Sequence, residues 1–117
     1  MDSTRIPKPS KFDPALRQVV DDILLDLPEV RAGSMFGHPA YYVGRRLIAC
    51  HYGSQVGVKI PPDLAELLLR RGTASLFLPY GKKRMRGWVA LSHVRAGDFR
   101  QDREVFFAAV KFARANP

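Results

Sequence analysis

Apolar residues near the start of the chain recur at helical spacing, and the spacing then changes. Leu16, Val19, Val20, Ile23, Leu24 and Leu27 stand three and four apart, which gathers them on one face of an α-helix. Asp13 offers a side-chain cap, and Pro14 is a first helical residue with no N–H to leave unpaired. Pro28 is expected to stop the helix, because the residue before a proline is pushed out of helical geometry. From Arg31 the pattern shortens to runs separated by glycine, over 33–37, 40–43, 47–52 and 55–59. Their Tyr, Val and Ile content and the glycine turns between them predict an antiparallel meander of three or four strands. Pro61-Pro62-Asp63 then opens a second helix over 64–71, with Leu64, Leu67 and Leu68 toward the sheet and Gly72 as its stop. Two further strands are expected at 75–78 and 88–92. A last helix takes Asp102 as N-cap and turns Val105, Phe106, Ala109, Val110 and Ala113 inward.

This order predicts an α+β domain. One antiparallel sheet of about five to six strands carries an N-terminal, a middle and a C-terminal helix packed on it. The domain occupies residues 13–117. Residues 1–12 hold Pro7, Pro9 and three cations with little apolar content, the composition of a flexible basic arm. The chain shows neither an internal repeat nor a linker.

Composition narrows the class. A chain of 117 residues is expected to be one domain that buries roughly two-thirds of its unfolded surface, enough for a core without staples. The single cysteine, Cys50, excludes an intrachain disulfide and a multi-cysteine zinc site, and points to a reducing compartment, the cytoplasm. No apolar run approaches the roughly 20 residues that cross a bilayer, and the N-terminus lacks the hydrophobic block of a secretory signal, so no membrane partner is expected. The net charge of +8 bears on partners rather than on fold.

Charge is densest at one place. Lys82, Lys83, Arg84 and Arg86 lie between Gly81 and Gly87, directly before the apolar run Trp88-Val89-Ala90-Leu91. Arg45 and Arg46 form a second basic turn. Together they are the candidate nucleic-acid-binding residues, contacting phosphates as a wing does without reading sequence. The other reading is a solvated turn whose cations deter edge pairing. If the two turns share an edge of the sheet they make one phosphate-binding stripe; on opposite edges the idea weakens sharply. Arg70 and Arg71 end a helix, where cations suit the dipole without a ligand.

Several short motifs resemble a known family. Ser34-Met-Phe-Gly37, Tyr41-Tyr-Val-Gly44, Val56-Gly-Val-Lys59, and Pro79-Tyr-Gly-Lys-Lys-Arg-Met85 followed by Trp88-Val89 resemble the N-terminal domain of the TfoX/Sxy competence regulators. The related MmcQ/YjbR-like domains share a similar plan. The resemblance covers residues 16–115. It implies a transcription-associated accessory protein, with DNA or a DNA-bound regulator as partner. The resembled regulators carry a second helical domain after this one, and the sequence stops at Pro117, so an activity that needs that domain is not carried over.

The individual residues in these motifs have structural roles to fill. Gly37 and Gly44 are expected to provide positive φ, Met35 and Phe36 to pack in the core, and Trp88 to pack rather than stack on a base. Tyr41 and Tyr42 point to opposite faces of a strand, leaving one exposed for stacking.

Catalytic chemistry finds little support. Cys50 and His51 are strand neighbours that face opposite ways and form no dyad. His38, His51 and His93 are scattered without metal-type spacing. Asp21, Asp22 and Asp26 fall on the polar side of the first helix, and Asp63, Asp98 and Asp102 at cap positions. No catalytic residue, metal or cofactor is expected. The leading reading is a non-enzymatic regulatory module. An adaptor that docks a protein partner stands beside it, as does a small-molecule-binding domain using Tyr42 and His38.

Overall fold

The computed structural model describes residues 12–79 and 85–117. Their architecture is the expected α+β one: an open antiparallel sheet of six strands with three helices packed on it. The elements run α1 (Pro14–Leu24), β1 (Val30–Met35), β2 (His38–Val43), β3 (Arg46–Tyr52), β4 (Gln55–Lys59), α2 (Pro62–Arg71), β5 (Ser75–Leu76), β6 (Trp88–Ser92) and α3 (Arg103–Ala115). Across the sheet the order is β1-β2-β3-β4-β6-β5. Of the predicted arm, residues 1–11 lie outside the described residues, while Phe12 forms a bridge with Gly53 and lies under the Arg17 guanidinium.

The first helix begins as its sequence dictates. The Asp13 carboxylate accepts from the Ala15 backbone N–H at 2.9 Å, and Leu16, Val19, Val20, Ile23 and Leu24 are buried. It ends earlier than Pro28 requires. Leu27 has left the helix and closes a turn in which its N–H donates to Leu24 and its carbonyl accepts from Val30. In α2 the stop at Gly72 is as expected, with φ of 73°. Ala65 and Leu68 are its buried positions, and Leu64 and Leu67 are only half-buried.

Strand register separates the two faces of the sheet, since side chains alternate along each strand. Tyr41, Ala49, Val58 and Val89 are successive partners, and they join the core under the helices with Phe99, Phe106 and Val110. The opposite face carries a row of small residues, Gly33, Ala40, Cys50, Gly57, Ala90 and Ser75, again successive partners. Phe77 is fully buried on that face beside Trp88. The expected strand at 75–78 is therefore a two-residue strand followed by Phe77 as a cover.

Two expectations need correction. Phe36 is 76% exposed, because Phe36 and Gly37 form a two-residue hairpin turn with both φ positive (51° and 81°) that holds the side chain at its tip. Met35 alone packs, half-buried, against the helix-free face. Asp102 stands at the α3 N-cap position, but its carboxylate makes no cap bond. It meets His93 Nε2 at 2.6 Å instead, tying the end of β6 to α3. A 3-10 helix over Ala96–Asp102, unforeseen in the pattern, carries buried Phe99 between them.

Candidate nucleic-acid interface

The antiparallel register decides which turns share an end of the sheet. Val30 pairs with Val43, Val43 with Arg46, and Lys59 with Trp88. The start of β3, the end of β4 and the start of β6 therefore lie at one end. Arg45 immediately precedes β3, and Arg86 stands two residues before β6. β3 and β6 flank β4, so their axes are separated by about 10 Å, twice the usual inter-strand spacing. Arg45, Arg46 and Arg86 are exposed and Lys59 is half-buried. Lys82, Lys83 and Arg84 lie outside the described residues.

Local backbone geometry fixes these positions. Gly87 has a φ of 81°, and a Cβ there would stand 3.1 Å from the Ile60 carbonyl oxygen. Its own carbonyl accepts from Ile60 N–H at 2.8 Å. The residue after Arg86 is thus clamped to the chain leaving β4, which only glycine's freedom allows at this spacing. The other turn is held by Arg31. Its guanidinium donates to the Gly44 carbonyl at 2.9 Å and lies 5.0 Å from the centre of the Tyr42 ring, a cation–π arrangement. Tyr42 in turn donates to the Ser34 carbonyl, and its ring covers Gly33. Tyr41 and Tyr42 do face opposite ways, yet Tyr42 is half-buried under Arg31 rather than a bare stacking surface.

Negative charge at this end is partly spent. Glu29 is paired with Arg114, whereas among the described residues Arg45, Lys59 and Arg86 form no ion pair. Lys59 and Arg31 escaped the sequence reading because each stands alone in an apolar or mixed run. Only register brings them to the basic turns.

The buried polar groups make a separate arrangement. Tyr41 Oη donates to Asp21 Oδ1 at 2.6 Å and stands 3.0 Å from His51 Nε2. Having one proton, committed to Asp21, the hydroxyl accepts from His51, so Nε2 carries the ring proton. Nδ1 is then a buried acceptor without a partner among the described residues. Burial is the main cause that lowers the His51 pKa to about 4; the Arg17 charge adds to it, and Asp21 and Asp13 oppose it. Burial also pushes the Tyr41 phenol far above its ordinary range, reinforced by the bond to Asp21. Asp21 is thus an acceptor for the core and not simply a solvated helix-surface acid, unlike Asp22, which accepts from Gln18 at the surface. Cys50 packs on the opposite face, its thiol pushed up to about 12 by burial. His38 is buried with its ring 5.1 Å from that of Tyr52.

Among the described residues, no group of three or more His, Cys, Asp or Glu is placed to hold a metal ion. No helix among them is long and apolar enough to cross a membrane. Compared with family models, with curated proteins and with solved structures, the chain matches none.

Proposed function

We propose that this protein is a non-enzymatic, nucleic-acid-associated regulatory module that grips phosphates with the cationic end of its sheet. What supports the reading is the register that brings Arg45, Arg46, Lys59 and Arg86 to one end, three of them exposed. Arginine forks suit phosphate oxygens, and phosphate contacts position a protein on a duplex without reading its sequence. Lys82, Lys83 and Arg84, in the same short segment as Arg86, belong to the proposed surface. The motif resemblance to the TfoX/Sxy N-terminal domain points the same way, toward a transcription-associated role in the cytoplasm with DNA or a DNA-bound regulator as partner.

The test is charge reversal. Arg45→Glu, Arg46→Glu and Arg86→Glu together should reduce retention on immobilised duplex DNA by at least about tenfold, or roughly 1.4 kcal/mol, while the melting temperature stays close to that of the parent. Unchanged retention would overturn the assignment of this end.

A further inference from the structure

The sheet ends on an open strand. Among the described residues β1 pairs only with β2, and Arg31, Ala32, Gly33 and Ser34 are all exposed, so no described element covers this edge. Sheet edges are commonly blunted by a very short strand, a lysine or a proline. The other edge, β5, is two residues long; β1 has six, with neither lysine nor proline among them. Its cation, Arg31, is drawn back onto Gly44 and the Tyr42 ring.

Hairpin geometry decides which backbone groups face outward. The two-residue turn makes Met35 and His38 a hydrogen-bonded pair, and such pairs recur at alternate residues along an antiparallel ladder. Gly33 with Ala40 and Arg31 with Tyr42 therefore bond within the sheet, while Val30, Ala32 and Ser34 turn their N–H and C=O groups outward. Some of these are already occupied. Val30 N–H donates to the Leu27 carbonyl at 3.0 Å, and the Ser34 carbonyl accepts from Tyr42 Oη at 2.9 Å. Among the described residues, the Val30 carbonyl, both groups of Ala32 and the Ser34 N–H have no partner.

This set is complementary to itself. When a second copy lies antiparallel about a two-fold axis at Ala32, the Ala32 N–H of each chain meets the Ala32 carbonyl of the other, and the Ser34 N–H of each meets the Val30 carbonyl of the other. The bond that this register leaves unmade, from Val30 N–H to the Ser34 carbonyl, joins the two groups that are already occupied. We infer that β1 is the contact through which two copies of this chain associate, joining their sheets edge to edge. β5 is too short to extend the ladder further, so association stops at two. A contact one strand wide is a weak one. It needs none of Arg45, Arg46 and Arg86 and so stands apart from nucleic-acid binding.

Sedimentation of the full chain without nucleic acid, from about 10 µM to about 1 mM, tests it. The mass should rise from that of one chain toward that of two, with a dissociation constant on the order of 100 µM. Because each copy carries +8, added salt should tighten the dimer by screening repulsion, the reverse of its effect on phosphate contacts. Ala32→Pro removes an N–H that β2 does not use, and Ala32→Lys sets like charges opposite each other on the axis. Each should weaken association at least about tenfold while the melting temperature of the dilute protein stays near the parent's. Amide exchange locates the contact: Ala32 and Ser34 N–H should gain protection as concentration rises, whereas Arg31 and Gly33, bonded to β2, should be protected at every concentration. A single-chain mass at about 1 mM, growth beyond two copies, undiminished association of either variant, or concentration-independent exchange at Ala32 and Ser34 would overturn the inference. The first of these would leave the edge to a foreign strand.

Discussion

The Phe77 ring occupies the space that a side chain on Gly57 would need: a Cβ there would stand 2.7 Å from both Cε2 and Cζ of the ring. Phe77 lies over the row of small residues, 6.0 Å from Tyr52 and 5.8 Å from Trp88 between ring centres. Two residues far apart in sequence are thus coupled through one packing contact. Phe77→Ala should cost about 3–5 kcal/mol by emptying the site, and Gly57→Ala about 1–3 kcal/mol by overfilling it. The double variant should lose less than the sum, because each change relieves the other. Denaturant unfolding of the four proteins measures the coupling; strict additivity would show that the ring does not fill the glycine's space in solution.

His51 makes stability depend on pH. Its folded pKa of about 4 is below the ordinary 6.5, so the folded state resists protonation and the unfolded chain binds the proton first. The contribution is complete above pH 6.5 and is lost progressively as pH falls from there toward 4. A shift from 6.5 to about 4 corresponds to a loss of about 3 kcal/mol when fully developed. His51→Gln should flatten this part of the curve of unfolding free energy against pH relative to the parent. Parallel curves for the two proteins over that interval would contradict the assignment.

Cys50 should behave as an inert core residue. Its side chain is 1% exposed and its thiol pKa is pushed up to about 12 by burial, so little nucleophilic thiolate forms near neutral pH. A disulfide-exchange reagent should label the native protein only through opening reactions, and promptly once denaturant is added. Rapid labelling of the native state would place Cys50 at the surface.

Much of the fold was legible in the sequence, and the gaps have physical causes. Asp13 and Pro14 announced α1, Gly72 closed α2, and 55–59 and 88–92 are strands at those residues, because caps, positive-φ turns and runs of β-branched or aromatic residues act locally. Leu27 fitted the helical period and yet left the helix, since its spacing serves a turn that still packs against the core. Phe36 belonged to an apolar run, but a two-residue turn left its side chain outside. The Asp21–Tyr41–His51 chain crosses three elements, and Arg31 and Lys59 reach the basic end only by strand pairing. Register of that kind is a property of the assembled sheet, where periodicity in one strand says nothing of its neighbour's offset. The two basic turns could be named from sequence as charge; their common end required the pairing of Lys59 with Trp88.

The central claim concerns the cations at that end, and the salt dependence of duplex DNA binding tests it most directly. Engagement of about four phosphates predicts that log K falls against log salt with a slope near −3.6, or about a hundredfold loss of affinity between roughly 50 and 200 mM salt. The Arg45→Glu, Arg46→Glu, Arg86→Glu variant should show a markedly shallower slope. No binding at the lowest salt, a slope near zero, or a slope that the variant leaves unchanged would contradict it.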